Sequence, residues 1–575
     1  MPSRRCFTLL HRGEHDALPR LSVPAIAHQR LPPWARAAAV LALFAALTIV
    51  HTWPLATDPA TLSRNENGDT MLNEWILAWV AHQLPRAPLR LFDANIFYPE
   101  QNTLAFSEHM FVQSLMAMPL FWLGASPVLV YNLLLMAAFA LTGWTMYLVI
   151  TDWTGDAVAG LAAGSLAAFN SYVFTRLPHL QALHVEFLPL AVAALHRLLT
   201  EPTAPRAMVL ALLFTAQGLT SNYWLAFISL TFVAAAASRP GDWLGARFRT
   251  FAPKAALAAG VAVSLTVPFL LPYYRVMRGQ GFVRNLDEVA QYSARWRDYL
   301  TSVNRIDYAL WSHHVWEGVL STALFPGFVA LALALTAIAA GIAWADRRAR
   351  LWLAIAAASI ALSFGTKLPG YATLYAAFPL LKGVRVPARI GHLALVAIAA
   401  LAGFGVAHLR RRVAGRRWAP ALAIGILAAI HVEALRAPLG FMPASLPGPA
   451  YEALARERRA IVVEFPMYAP RQAFFNAQYM LNSTRHWKPL VNGYSGFLPA
   501  SYLQHYEQLT HFPDPPALRA LVAVGVTHVI VHHLPPSPIT SGFGPMPAIG
   551  ALQPIASSSE MTIYQLRWDR IDTGR

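Results

Sequence analysis

The sequence has one cysteine, Cys6, and only 13% charged residues over 575 positions. That charge content excludes an ordinary soluble globule, in which about a quarter of residues are charged. A single thiol excludes an intramolecular disulfide, so any part facing an oxidising compartment must be held by its own core. Lysine is nearly absent, found only at Lys254, Lys367, Lys382 and Lys488, and the net charge of +16 is almost wholly arginine. No zinc-ligand spacing or aromatic-interleaved basic platform accompanies it, which argues against nucleic acid as a partner. What is abundant is apolar. With 56% hydrophobic residues, 11% aromatics and repeated apolar runs of roughly 20 residues, the bilayer is the main solvent.

Residues 1–35 carry Arg4, Arg5, Arg12, Arg20 and Arg30, and the first long apolar run begins near Ala37, too late for a cleaved signal peptide. A retained first span over 36–55 is expected, with the N-terminus cytoplasmic. Further apolar runs at 128–150, 156–171, 182–199, 206–220, 223–238, 253–273, 319–344, 351–366, 389–408 and 419–435 bring the expected spans to about eleven. Three Arg-rich loops then fall inside, as the positive-inside rule requires: Arg239, Arg247, Arg249 and Lys254; Arg347, Arg348 and Arg350; and Arg410, Arg411, Arg412, Arg416 and Arg417. Counting the apolar segment 110–125 as a span would put all three outside, so it reads as interfacial or re-entrant. The Thr220-Ser221-Asn222-Tyr223 break makes 206–220 and 223–238 a hairpin.

After residue 436 the composition shifts to a proline-rich linker (Pro438, Pro443, Pro447, Pro449) and then to alternating segments. Buried strands are predicted at 460–467 and 527–533, helices at 500–509 and 515–524, and a late alternating strand at 560–567. The expected architecture is a polytopic α-helical membrane protein of the cell (inner) membrane. It has a cytoplasmic segment 1–35, a transmembrane domain 36–435 and an extracytoplasmic α/β domain 436–575.

Between the first two spans lies a long outer loop, 56–109. Segments of that length inside a compact protein tend to carry function. In it, Gly68-Asp69 precedes Leu72, Trp75, Ile76, Trp79 and Leu84, a spacing that predicts an amphipathic helix lying along the membrane. The runs NEWILAWVAHQL (73–84), ANIFYP (94–99) and SEH (107–109) follow. With one span, a large outer loop bearing an early acidic residue, many further spans and an outer C-terminal domain, residues 36–435 resemble the GT-C superfamily. Its bacterial members include protein mannosyltransferases and the lipid A aminoarabinose transferase. The resemblance implies an inverting glycosyltransferase that moves a sugar from a polyprenyl-phosphate donor to an extracytoplasmic acceptor, which is a glycan, a lipid or a protein. Membrane lipid is a partner of any such chain.

Inverting transfer needs a base or orienting acceptor on the incoming hydroxyl and cations on the departing phosphate. The resemblance makes Asp69 the candidate base, against the alternative that it caps a helix starting at Thr70. Glu108 is a second candidate acid, or a charge at a helix N-terminus, with His109 beside it. His179, Gln181, His184 and Glu186 fall where the third span meets the fourth; Glu186, inside the span, reads as functional unless it pairs with Arg176. Two outer segments are richer in cations than the positive-inside rule leads one to expect. One is the loop 274–318, with Arg275, Arg278, Arg284, Arg295, Arg297 and Arg305 among Tyr274, Tyr292, Trp296 and Tyr299; the other holds Lys382, Arg385 and Arg389 before the tenth span. These are candidates for the donor phosphate, and arginines snorkelling to lipid headgroups are the alternative. Glu317 positions the donor or pairs with one of these arginines.

No cofactor is certain. Some GT-C members use a divalent metal and others do not, and His179 and His184, five apart, do not form a zinc pair. The stretch 479–497 is rich in amide, aromatic and glycine residues, which suits acceptor recognition as well as a turn-rich linker. Two other readings use the same spans: a transporter or flippase lined by Glu186, His392, His408 and His431, and a non-catalytic assembly protein of polysaccharide export. The absence of a repeat between the halves weighs against the first.

Overall fold

The computed structural model describes residues 32–64, 67–282, 284–318, 322–534 and 549–571. Each of the eleven predicted apolar runs contains a helix. Among the described residues six helices are long and apolar enough to cross a membrane: Pro33–His51, Pro127–Thr154, Ala157–Phe174, Leu180–Thr200, Gly245–Gln280 and Pro387–Arg412. The others are shorter. Ala204–Gly218, at 15 residues, rises only about 22 Å against a hydrocarbon core of about 30 Å. The predicted run 319–344 is not one helix. Its helix is Phe328–Ala339, and the chain then breaks at Gly341, whose φ of +76° starts a separate turn, Ile342–Ala345. The predicted hairpin is there: Ser221 caps a new helix, Asn222–Ala237, with its side chain accepting from the Tyr223 N–H.

Three elements build the frame around the first loop: α1 (Pro33–His51), α2 (Gly68–Gln83) and, after α3 (Phe111–Trp122), the long α4 (Pro127–Thr154). At one end of α4, Asn132 donates to the carbonyls of Pro59 and Leu62 at 2.9 and 2.6 Å, tying the helix to the first loop. At the other end Asp156 caps α5 (Ala157–Ala168) and accepts from Arg410 Nε at 2.7 Å. Near that same end Trp153 meets His196, which in turn holds Arg239. Asp242 there binds Arg239, and also Arg247 and Arg347 at 3.5 and 3.1 Å, so two of the Arg-rich loops meet on one carboxylate. The helix Gly391–Arg412 is buried along nearly its whole length and packs on α5, Phe328–Ala339 and Arg347–Ser363.

The predicted amphipathic helix is present as α2, but it is buried on its polar as well as its apolar side. Trp75, Ile76 and Trp79 are buried, and so are Asn73 and Glu74 on its polar side. Its faces pack on α3, on α4 and on the helix Asn476–Ser483 of the C-terminal domain. The polar side chains that suggested a wet face serve instead as internal hydrogen-bonding groups. Glu74 accepts from the Ser63 hydroxyl at 3.1 Å, and burial pushes its carboxyl up to about 8. An acid raised from 4.5 destabilises the fold progressively as pH climbs from there through 8. Glu74→Gln is therefore expected to unfold at the same or a higher temperature than the native chain at pH 8, read by thermal denaturation; a large loss would show that its charge is needed.

The C-terminal domain contains a four-stranded sheet, order β3-β4-β6-β5, built from β3 (Val462–Phe465), β4 (His528–His532), β5 (Leu552–Ser557) and β6 (Met561–Leu566). β3 and β4 run parallel, pairing Val462 with His528, and the remaining pairs are antiparallel. The predicted helices appear as Ala500–Leu509 and Pro515–Val524. Alternation along the strands splits the interior. Val462, Ile530 and Ile563 pack in a small core of the domain, whereas Val463, Phe465, Val529 and Val531 share a core with Phe97 and Phe106 of the first loop. The domain thus does not stand on its own small core alone. Main-chain bonds join the two parts directly: Leu490 N to Asn95 O at 2.9 Å, Tyr98 N to Leu490 O at 2.9 Å and Phe97 N to Asn492 O at 3.1 Å. A short ladder of β1 (Leu62–Ser63) with β2 (Met442–Pro443) adds a second seam. The first loop and the C-terminal domain share one face.

Candidate active site

Asp69 sits at the start of α2, but it is not the cap. Asn67 caps the helix, its side-chain oxygen accepting from the Asp69 N–H at 2.9 Å. Gly68 precedes Asp69 because the helix start lies against the next domain: a Cβ there would be 2.8 Å from the Phe474 carbonyl oxygen. Freed from capping, the Asp69 carboxylate faces two donors. Its Oδ2 lies 3.1 Å from His179 Nε2, and its Oδ1 accepts from the Tyr494 hydroxyl at 2.8 Å. A carboxylate can only accept, so the proton belongs on Nε2 of His179. Burial would raise the Asp69 pKa, but the hydrogen bond and charge of His179, the Tyr494 hydroxyl and the charge of Arg389 outweigh it and hold the group down at about 2. Burial first, then the charges of Arg389 and Arg176, lower the His179 pKa against the pull of Asp69. Asp69 is an anion held by the His179 N–H and the Tyr494 hydroxyl.

α2 also fixes the His179 loop. Asn73, one turn after Asp69 on the same helix face, donates to the Pro178 carbonyl at 2.9 Å and to Gln181 Oε1 at 3.1 Å. Gln181 therefore acts as an anchor for the loop: its own carbonyl accepts from the Trp224 indole at 3.0 Å.

Two guanidinium groups stand by this pair. Arg389 lies with its carbon 5.0 Å from the Tyr223 ring centre, and Arg176 at 5.3 Å from that of Tyr172. Both are half-buried, and among the described residues neither has a carboxylate within ion-pair distance. The buried Nε of each makes no hydrogen bond there. Unneutralised, partly desolvated cations are costly, and an anionic ligand offsets that cost. Arg385 is placed differently. Its main chain donates to the Tyr223 hydroxyl at 3.1 Å, while its guanidinium lies over Tyr292 at 5.3 Å and 3.9 Å from Glu288.

Glu108 supports this group from behind. Its oxygens accept from the Ser221 hydroxyl at 3.0 Å and the Asn222 N–H at 2.8 Å, so it is an acceptor at the N-terminus of Asn222–Ala237, the helix that presents Tyr223. Burial raises its pKa against those bonds and the charge of Arg389.

The remaining candidates are engaged elsewhere. His109 is buried on Phe269 and 3.2 Å from the Tyr273 hydroxyl, and burial lowers its pKa to about 4. Glu186 pairs with His184 at 2.8 Å, not with Arg176. Glu317 pairs with Arg295 and, at 3.3 Å, with Arg297. Lys382 lies in the turn Pro379–Gly383 with no side-chain bond among the described residues. No group of three or more His, Cys, Asp or Glu side chains is placed to hold a metal ion among the described residues. Sequence reasoning missed Tyr494, Tyr223 and Tyr172, and weighed Arg176 only as a partner for Glu186. The one signal was the amide-rich and aromatic-rich stretch 479–497, which carries Tyr494.

No family model matches the chain, and no curated protein matches it. Solved structures do. The mycobacterial arabinofuranosyltransferase AftD superposes with a TM-score of 0.57 at 13% identity, over 93% of this chain and 40% of that one. The Archaeoglobus fulgidus oligosaccharyltransferase, solved with a tethered acceptor peptide, gives a TM-score of 0.50 at 12% identity, over 86% and 69%. The chain thus spans about two fifths of the length of AftD. The likeness is one of fold, and the fold is GT-C-like.

Proposed function

We propose that, on this GT-C-like fold, the chain is a membrane glycosyltransferase that moves a sugar from a polyprenyl-phosphate donor to an acceptor hydroxyl. The observation that carries this reading is the juxtaposition of the ionised Asp69 with Arg389 and Arg176, two half-buried cations with no carboxylate within ion-pair distance among the described residues. The acceptor oxygen bonds to the anomeric carbon as its proton passes to Asp69, and the bond from that carbon to the phosphate oxygen breaks on the opposite side, inverting the centre. The departing phosphate is received by the guanidinium groups. Tyr223 and Tyr172 hold these by their faces, which leaves N–H edges for phosphate oxygens. Phosphate on Arg389 offsets one of the charges that depress Asp69, so the carboxylate becomes a better base once the donor is in place.

The shared face of first loop and C-terminal domain is the extracytoplasmic one in this reading, because the Arg-rich loops gather at the other end of α4. AftD is by its name an arabinofuranosyltransferase, and the archaeal enzyme holds an acceptor peptide. A lipid-linked donor with an extracytoplasmic glycan, lipid or protein acceptor fits both.

The test uses the full chain in lipid nanodiscs with synthetic undecaprenyl-phosphate hexoses and pentoses. Release of undecaprenyl phosphate from at least one is expected, and native mass spectrometry should find that lipid retained against excess phosphatidylglycerol. Turnover of none of them would overturn the reading, whether or not the lipid is retained.

A further inference from the structure

Tyr494 belongs to the C-terminal domain, more than 400 residues from Asp69 in sequence, yet its hydroxyl donates to Asp69 Oδ1 at 2.8 Å. His179 occupies the other carboxylate oxygen. An acceptor alcohol that gives up its proton to Asp69 has to approach as an O–H donor to a carboxylate oxygen, and that is the contact Tyr494 makes. The phenol thus stands where the acceptor hydroxyl has to come.

The main chain of the segment bearing it is held throughout: between its two ends Asn476 donates to the Gly493 carbonyl at 3.1 Å and the Tyr494 N–H donates to Met480 Sδ at 3.1 Å. On one side Asn492 is clamped to β3, accepting from the Glu464 N–H at 2.7 Å and donating to its carbonyl at 2.9 Å. On the other, Phe497 stacks on Phe282 at 4.4 Å and lies under Arg284 at 3.7 Å, while Arg284 donates to the Gly496 carbonyl at 2.9 Å. Gly493 and Gly496 let the strap lie directly on the first loop: a Cβ would come within 2.6 Å of the Phe97 ring and 3.0 Å of the Phe106 carbonyl oxygen. Tyr494 lies between these points, half-buried, with its side chain against Met71, Ala477 and Leu481. Rotation of its side chain frees Asp69 without breaking either anchor.

We infer that Tyr494 is the acceptor-side gate of the site, keeping water off Asp69 until an acceptor hydroxyl replaces its own. Exchange of one O–H to carboxylate bond for another leaves the number of hydrogen bonds unchanged, so an acceptor bound by its other groups displaces the phenol readily. A free water has no such groups and must compete with a tethered donor. The inference rests on the transfer reading. When water does enter, its oxygen bonds to the anomeric carbon, its proton goes to Asp69 and the carbon–phosphate-oxygen bond breaks, giving free sugar and polyprenyl phosphate.

The test is Tyr494→Phe in the full chain, with Tyr494→Ala as a second variant, on whichever undecaprenyl-phosphate sugar the native protein turns over. Release of free sugar without acceptor is expected to rise about 10- to 100-fold, the range for losing a hydrogen bond to a charged group. The acceptor KM should fall, and the ratio of hydrolysis to transfer should rise with it. A merely structural tyrosine would instead lower kcat with no rise in hydrolysis, and that result overturns the gate. Should the native protein turn over donor while both variants hydrolyse it at the native rate, the gate fails and the transfer reading stands. A native chain that turns over no donor removes both.

Discussion

Asp69→Asn is expected to reduce transfer by about 10²- to 10⁴-fold, the usual contribution of a positioned general base. Little change in thermal unfolding should accompany it. Asn67, not Asp69, caps α2, so the helix start keeps its side-chain bond. The amide oxygen can still accept from His179 or from Tyr494, which preserves one of the two contacts. What it cannot do is take a proton. Measured together, turnover of the donor and the unfolding temperature separate the possibilities. A loss of activity matched by a loss of stability would make Asp69 a structural residue, and full activity would remove it from the chemistry.

The second large effect concerns the phosphate. Arg389→Ala and Arg176→Ala should each weaken binding of undecaprenyl phosphate by about 1.5–3 kcal/mol, roughly 10- to 150-fold, as for a hydrogen bond to a charged group. Lysine at either position should restore only part, since it keeps the charge but loses the planar fork and the stacking on Tyr223 or Tyr172. Arg385→Ala should cost less, because Glu288 already lies 3.9 Å from that guanidinium. Equilibrium binding in detergent with defined lipid measures all of these. Equal, small effects at the three positions would mean that the arginines serve lipid headgroups in general.

The sequence made the membrane helices readable because hydropathy is local: a run of apolar residues carries its own reason to be helical. The same held for Ala500–Leu509 and Pro515–Val524, whose spacing repeats every turn. The polar side of α2 suggested a wet face because Asn73 meets partners more than 100 residues away, in Pro178 and Gln181, and a polar face that is satisfied internally looks the same in one dimension as a wet one. Asp69, His179 and Arg389 were legible as unusual charges at one expected face. Tyr494 was not, because its role depends on the strap that brings the C-terminal domain onto the first loop. Glu186, an ionisable group in an apolar run, has a partner that its position alone did not reveal: His184, two residues earlier, binds one of its oxygens.

The backbone seam between residues 95–98 and 490–492 also has a meaning in time. A ribosome adding about 5–20 residues per second needs roughly 20–80 s to make the intervening stretch. For that interval Phe97 and Phe106 of the first loop lack their packing against Val463 and Phe465, and Asp69 lacks Tyr494. A chain cut short anywhere before Leu490 would thus insert its helices yet leave the loop unfinished and its aromatics open to proteolysis and chaperones. The last fifth of the polypeptide certifies that the first fifth has been completed.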